Sequence, residues 1–421
     1  MTTLDDHHGA PRVRNGPAMA FIVATCVSVT GTAFGLLGAT GATTAAGGTA
    51  RGGLYSGIFL SAMFVASACT VPYAPRFCMH RSIRAAYALI QAVNALAYLG
   101  AGAALLAGAP TMPTLLIAAP FAGATSGVSA VLRPLLSKAY FASENTAHSY
   151  AIVSVASGVA WAAGGLAGGA LLSHVEFGWG LVINAVLSAG LIYTAARIAP
   201  ATEPGPPRVP GRPWHDAWKA LSDNRALRWS AALGAMSMVL LAPATSLVVP
   251  IAESLRQKPQ VAGAGYLMAS FALGELATPW IVKVFSRRSA NLAAGAFSAG
   301  IAGLTLVTLG VASLVFSRRV ELAVWLVIGV TFGAFRFAAR SFYVGSAAES
   351  GSAEDAASNL AAGATVALFA APVGTLLYSL GIDAFSADTT VLVAGGLAIA
   401  FSATVLRAAR SLPGPAAPTG S

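Results

Sequence analysis

Long apolar blocks divide the sequence, and they limit the possible folds more than any other feature. Each block holds about 20 mostly apolar residues, the length that an α-helix needs to cross the hydrocarbon core of a bilayer. Asp, Glu, Lys and Arg make up only 10% of the 421 residues, which is too little charge to cover a soluble protein of this size. We therefore predict twelve membrane spans, at residues 17–40, 54–73, 85–107, 112–132, 148–172, 177–198, 226–251, 261–284, 291–316, 320–340, 356–380 and 389–406.

The blocks predict helices rather than the strands of a membrane barrel. Barrel strands are about ten residues long and alternate in polarity, whereas these blocks are longer and do not alternate. Glycine is abundant, with 45 residues, and small residues let helices pack closely where lipid gives no hydrophobic drive to associate. The predicted fold class is an all-α membrane protein.

The longest polar stretch, residues 200–224, divides the predicted spans into two sets of six. Its prolines exclude a helix over its first part, and residues 214–221 are predicted to form a short amphipathic helix on the membrane surface. The predicted organisation is a cytoplasmic tail at 1–16, an N-terminal half at 17–199, a cytoplasmic loop at 200–224, a C-terminal half at 225–411 and a disordered tail at 412–421.

The distribution of the 25 Lys and Arg residues predicts the orientation. With a cytoplasmic N-terminus, seventeen of them fall on the cytoplasmic side and five on the other, leaving out Arg133, Arg336 and Arg340 at membrane depth. The positive-inside rule therefore places both termini in the cytoplasm of a multi-pass protein of a bacterial-type plasma (inner) membrane. The formal net charge of +10 is explained by this topology, so we expect the lipid bilayer and no nucleic acid as a partner.

The two sets of spans resemble each other. Shifting the sequence by 207 residues places Pro72 on Pro279, Arg76 on Lys283 and Arg133 on Arg340. The same ungapped shift joins separate regions, which indicates two homologous halves. Because each half has six spans, the halves share one orientation and are expected to be pseudo-symmetric about an axis along the membrane normal.

A basic loop after the second span resembles the best-known motif of the major facilitator superfamily, G-x-x-x-D-R-x-G-R-R. Arg76 and Arg81 occupy basic positions of this motif, while its aspartate is Pro75 and one glycine is Cys78. Lys283, Arg287 and Arg288 take the same place in the second half. The resemblance implies twelve helices, a substrate path between the halves and alternating access, with these basic residues in gating. The alternative is that they only fix the topology.

A stripe of small residues in the fifth span resembles the motif G-x-x-x-G-P-x-x-G-G, which exporters of the superfamily often carry. The stripe consists of Ala160, Gly164, Gly165, Gly168 and Gly169. This resemblance implies export. Its alternative is ordinary helix packing in a chain that is rich in Gly and Ala throughout.

Glu275 is the one acid placed well inside a predicted span. An ionisable group at membrane depth is costly and therefore a functional candidate, and burial suits a carboxylate to reversible protonation. We hypothesise that Glu275 carries the coupling proton. Arg336 and Arg340 are one turn apart on one helix face, and Arg336 is expected to contact an anionic substrate group or Glu275. The alternative is a purely structural ion pair that holds the inner gate.

Other candidates follow from the resemblance. Arg133, at the end of the fourth span, matches an arginine found there in many relatives, and the acids Glu144, Glu354 and Asp355 are candidate gating partners, or else solvated loop residues. The family lines its cavity with the first, fourth, seventh and tenth helices. By that analogy the cavity candidates are Thr25, Ser28, Thr32, Ser126, Met238, Thr245 and Phe335, and the alternative for each is a helix-packing role.

The expected function is proton-coupled efflux of a small lipophilic drug or metabolite by alternating access. A proton-coupled uptake symporter for a small metabolite and a non-transporting membrane protein are the alternatives. An enzyme is not expected, since no span pairs two acids for magnesium and neither a phosphate loop nor an HExxH motif occurs. The three cysteines have no metal spacing. We expect no cofactor beyond the proton gradient, and a monomer.

Overall fold

The computed structural model describes residues 15–78, 82–141, 146–200, 212–254, 260–286, 291–315, 318–350 and 355–411. Helices account for nearly all of these ranges, and no β-strand occurs within them. The predicted all-α class is therefore confirmed. The predicted tails and the first part of the central loop, at 1–14, 201–211 and 412–421, lie outside the described residues.

Five long helices form the part of the chain before the central loop. Helix α1 runs over Asn15–Thr70 and turns at Gly48, which divides it into two arms. A 3-10 segment, Val71–Cys78, extends its second arm. The helices that follow are α2 (Ile83–Leu106), α3 (Thr111–Phe141), α4 (Thr146–Leu172) and α5 (Gly178–Arg197).

After the loop, a short helix α6 (Pro213–Asp223) precedes the second set. Its first span is broken into α7 (Arg225–Met236), a π-helical turn (Ser237–Leu241), α8 (Pro243–Ser246) and α9 (Val248–Ser254). The remaining helices are α10 (Gln260–Gly274), α11 (Thr278–Ser286), α12 (Asn291–Val315), α13 (Arg318–Ala348), α14 (Ala356–Ala384) and α15 (Ala387–Arg410).

Within the described residues, eleven helical segments are long and apolar enough to cross a membrane. The predicted seventh span, 226–251, is not among them because it is divided into pieces. The prolines at its distorted end, Pro243 and Pro250, cannot donate a backbone hydrogen bond, and the π-turn inserts an extra residue into the helix before them. The count of twelve therefore stays a prediction.

The turn between the first two spans is shorter than predicted. Helix extends from residue 40, where the first span was expected to end, as far as Gly48. Gly48 has a φ of 61°, in the left-handed region that glycine adopts without steric cost. The chain reverses there and enters the second arm at once.

The helices pack as two groups that also contact each other. The first group is α1–α5 and the second is α7–α15. In the first group α1 packs on α3, α4 and α5, and in the second α12 packs on α13 and α15. Between the groups, α4 lies along α10 and the second arm of α1 lies along α14. These two cross-contacts form the walls of the site described below.

The predicted amphipathic segment at 214–221 is present within α6. Pro213, Ala217 and Leu221 are its buried face, and the Trp214 ring lies against Phe369 of α14, with the ring centroids 5.6 Å apart. Trp218, on the opposite face, is 56% exposed. The linker helix therefore packs on α14.

Candidate functional site

A cavity of about 360 Å³ lies between the two groups of helices. Volumes of this size hold small organic molecules. Four of the predicted cavity residues line it: Thr32 of α1, Ser126 of α3, Met238 of the π-turn and Thr245 of α8. Aromatic and apolar side chains make up much of the rest of the wall, among them Phe59, Leu60, Met63, Tyr98, Trp161, Phe271 and Phe337.

Three predicted cavity residues lie elsewhere. The side chains of Thr25 and Ser28 are buried, at 1% and 5% exposure, and are outside the cavity wall. Phe335 packs against an apolar cluster around Ile281 and Phe342. Helix number and depth suggested these positions, but the rotation of each helix about its axis decides which face meets the cavity.

Apolar residues of the two groups belong to common clusters on both sides of the cavity. On the side of the termini, one cluster joins Leu132 and Leu136 of α3 to Leu360 of α14. Toward the other face, a second cluster joins Leu37 of α1 to Ile251 of α9. The two groups thus contact each other on both sides of the cavity, through α3 with α14 on one side and through α1 with α9 on the other.

Glu275 stands at a break in the helix that the sequence predicted as one span. Pro279 has no N–H to donate to the carbonyl of Glu275 four residues earlier, and the N–H of Thr278 bonds to that carbonyl instead. The result is a 3-10 turn, Glu275–Ala277, between α10 and α11. Such a turn inside a helix often marks a functional hinge.

The side chain of Glu275 is 1% exposed and lines the cavity. It packs directly on α4 at Gly158, where an added Cβ would lie 2.6 Å from the Cβ of Glu275. A larger residue than glycine at 158 would therefore displace Glu275. The carboxylate lies where the two groups of helices meet.

Three arginines share the cavity with Glu275. Arg133 comes from α3, in the first group, and Arg336 and Arg340 come from α13, in the second. All three interact electrostatically with Glu275, Arg336 most strongly. Arg133 donates a 2.9 Å hydrogen bond from Nη2 to Oγ of Ser157 in α4, and the Arg336 guanidinium lies 4.7 Å from the centroid of the Phe337 ring. The structure thus brings together the four charged residues that the sequence placed at membrane depth.

Three of the remaining predicted charges are among the described residues, and none of these three lines the cavity. Arg76 lies in the 3-10 segment after α1, Lys283 lies in α11 and Asp355 immediately precedes α14. Arg76 and Lys283 are exposed. Arg81, Arg287, Arg288, Glu144 and Glu354 lie outside the described residues.

The small residues of the predicted fifth span contact two different helices. Gly164 and Gly168 pack on the first arm of α1, while Gly165 and Gly169 pack on α10. An added Cβ on Gly169 would lie 2.9 Å from the carbonyl oxygen of Val261. Ala160 is buried and its carbonyl accepts a 3.3 Å hydrogen bond from Oγ1 of Thr30. The stripe therefore joins α4 to α1 of its own group on one face. On the other face it joins α4 to α10 of the second group.

One polar group at the π-turn had no signal in the sequence. The Tyr378 hydroxyl of α14 donates a 2.8 Å hydrogen bond to the carbonyl oxygen of Leu240. A π-helical turn shifts the backbone hydrogen bonds by one residue, and Tyr378 satisfies a carbonyl within it. Neither the turn nor its partner is visible in the hydropathy of the chain.

The sequence profile described as Major Facilitator Superfamily matches residues 18–375. The chain belongs to the Major Facilitator Superfamily. The match covers most of both groups of helices, and it confirms the resemblance that the basic loop and the internal repeat suggested. None of the curated proteins matches the chain in sequence.

Solved transporter structures share this fold. The human organic anion transporter MFSD10 (TETRAN) aligns with a TM-score of 0.68 at 13% identity, covering 94% of this chain and 100% of that one. A bacterial homologue of the human lysosomal transporter Spinster, in an inward-facing unoccupied conformation, gives 0.68 at 14% identity, with coverages of 97% and 100%. The nucleoside transporter NupG gives 0.66 at 12% identity, with coverages of 93% and 99%. At these identities the likeness concerns the fold alone.

Proposed function

We propose that this transporter exports a small lipophilic drug or metabolite in exchange for protons. Membership of the superfamily makes the chain a secondary transporter in a membrane. The substrate, the coupling ion and the direction are the proposed part, since function lies in the site rather than in the fold. In the proposal both termini are cytoplasmic, and the cavity opens alternately to the two sides.

The position of Glu275 carries the proposal. It lines the cavity, it stands at a helix break, and it packs on the α4 surface that has to separate from α10 when the cavity opens. A carboxylate that gains or loses a proton there changes the charge of the cavity and the contact between the groups together. This is the property that a coupling residue needs.

The stripe of small residues in α4 supports export as the direction of transport. Gly165 and Gly169 let α4 approach α10 closely across the two groups, and the stripe resembles the motif of exporters in the superfamily. A tight small-residue contact between helices from different halves favours the state in which that side is closed. The substrate is then released only after the contact separates.

Uptake together with a proton is the second candidate, and the three arginines around Glu275 favour it. A proton on Glu275 removes the one negative charge among the described residues of the cavity wall. An acidic substrate would then bind more tightly, and by linkage would also hold the proton more tightly. Binding of this kind carries proton and substrate in the same direction.

Accumulation in cells separates the two candidates. The chain is expressed in a bacterium that lacks its own efflux pumps, and a panel of lipophilic dyes and antibiotics is measured with and without a protonophore. We expect lower accumulation that the protonophore and Glu275→Gln both abolish, while Glu176→Gln, a carboxylate in the turn between α4 and α5, behaves as the wild type. Raised accumulation would support uptake, and lower accumulation unaffected by Glu275→Gln would refute the role of Glu275.

A further inference from the structure

The charges that line the cavity are unequal in number. Among its described wall residues, three are arginines and one is a glutamate. If Glu275 is ionised the excess is two positive charges, and if it is protonated the excess is three. The excess is positive in both states, so its sign does not depend on whether Glu275 carries a proton.

We propose that the cavity binds an organic anion, whose oxyanion head group lies between Arg133 and Arg336 and whose apolar body lies against the aromatic wall. The proposal rests on the proposed function insofar as it takes this cavity to be the transport site. It replaces an unspecified lipophilic molecule with a defined chemical class, a carboxylate or phosphate that carries an aromatic or aliphatic body.

The geometry of Arg133 supports this proposal. Its Nε is buried and has no hydrogen-bond partner within the described residues, while its Nη2 is held by Ser157. A guanidinium presents its donors in a planar fork that matches a carboxylate or phosphate. One side of the Arg133 fork is therefore fixed by the protein and a buried donor remains for a ligand.

Because the two arginines come from different helices, an anionic head group between them would also affect how the two groups of helices pack. Arg133 belongs to α3 and Arg336 to α13, so they come from opposite groups of helices. Two like charges facing one cavity repel each other, and this repulsion is strong where water is scarce. An oxyanion between them would turn that repulsion into attraction for both groups. Anion binding is thus expected to draw the two groups of helices together around the cavity.

The aromatic part of the wall accommodates the body of such a ligand. Phe337 lies beside the Arg336 guanidinium, and Trp161 and Tyr98 come from α4 and α2. Flat aromatic acids match this combination of apolar surface and cationic end. An inorganic anion lacks the body and would gain only the electrostatic part of the binding energy.

A matched set of naphthalene compounds tests the proposal by calorimetry on the purified full chain in lipid nanodiscs. The set contains 2-naphthoate, 2-naphthyl phosphate, the neutral 2-naphthalenemethanol and the cationic 2-naphthylmethylammonium. We expect at least one of the two anions to bind at least about tenfold more tightly than the neutral compound, since hydrogen bonds to charged groups are strong. Arg133→Gln is expected to remove this preference, Arg133→Lys to retain part of it, and the control Arg197→Gln, outside the cavity wall, to leave it unchanged.

Several results would overturn the proposal: equal or tighter binding of the neutral or cationic compound, no binding of either anion at millimolar concentration, or anion binding that Arg133→Gln leaves intact. If Arg133→Gln does not fold, the wild-type series and Arg133→Lys decide. Anion binding without transport in liposomes would refute the proposed function but keep this inference. Proton-linked transport of neutral or cationic compounds alone would keep the proposed function and refute this inference.

Discussion

The backbone N–H of Leu54 donates a 2.9 Å hydrogen bond to Oδ2 of Asp383. Leu54 lies near the start of the second arm of α1, and Asp383 lies in the last turn of α14. The N-terminus of a helix carries a partial positive charge, so a carboxylate is a favourable partner there. This contact ties the first group of helices to the second on the face opposite the termini.

Removal of the Asp383 carboxylate is expected to loosen that face. In Asp383→Ala the N–H of Leu54 loses its charged acceptor, and opening on this side becomes easier. We expect the distance between spin labels at Arg51→Cys and Phe385→Cys, in a background without the native cysteines, to shift toward longer values. The control Glu176→Ala removes a carboxylate from the turn between α4 and α5. An unchanged distance distribution in Asp383→Ala would show that the contact does not hold the face closed.

The same face is expected to respond to pH through Glu253. Glu253 lies beyond the predicted span 226–251, and burial, followed by the charge of Asp383, raises its pKa. A group whose pKa is raised in the closed state stabilises that state at low pH and loses this contribution as the pH rises through the raised value. We therefore expect the label distance to lengthen between pH 5 and pH 8. Glu253→Gln should abolish the dependence, and a dependence that persists in Glu253→Gln would assign it to another group.

A single added methyl group is expected to disturb the contact between α4 and α10. A Cβ on Gly265 would overlap the carbonyl oxygen of Gly165 and lie 3.1 Å from Cα of Gly169. Overpacking of this kind costs about 1–3 kcal/mol, so Gly265→Ala should lower the unfolding temperature and the transport rate. Gly190→Ala is the matched control, because nothing lies within 4 Å of its added Cβ. Equal unfolding temperatures for the two variants would contradict the close approach.

The attachment of the linker helix is expected to depend on one of its two tryptophans. Trp214 is half-buried and packs on Phe369, whereas Trp218 is exposed, and an aromatic pair contributes about 0.5–1.5 kcal/mol beyond its area. Trp214→Ala should speed hydrogen exchange across residues 213–223 several-fold, and Trp218→Ala should change it little. If both variants exchanged alike, α6 would not be held by α14 at this point.

Hydropathy predicted most of the fold because the bilayer imposes a simple rule on length and polarity. The rule fails where a span is irregular. The residues 226–251 are apolar enough, but Pro243 and the π-turn at Ser237–Leu241 divide them. The same rule gave no information on the turn at Gly48, because helix can continue beyond the apolar block.

The site was predictable in part. The spacing of Arg336 and Arg340 on one helix face and the depth of Glu275 follow from the sequence. Their meeting with Arg133, which is more than a hundred residues earlier, depends on how the two groups of helices pack. The contrast between Thr32 in the cavity wall and Thr25 in the helix packing has the same origin, since both residues satisfied the analogy equally well.

Transport by purified protein in liposomes is the most direct test of whether Glu275 links the cavity to protons. The compound that is active in cells is supplied at equal concentration inside and outside, and a pH gradient is then imposed. We expect the wild type to accumulate the compound on one side, whereas Glu275→Gln should lose this accumulation and still exchange labelled for unlabelled compound. Full gradient-driven accumulation by Glu275→Gln would show that Glu275 does not couple transport to protons.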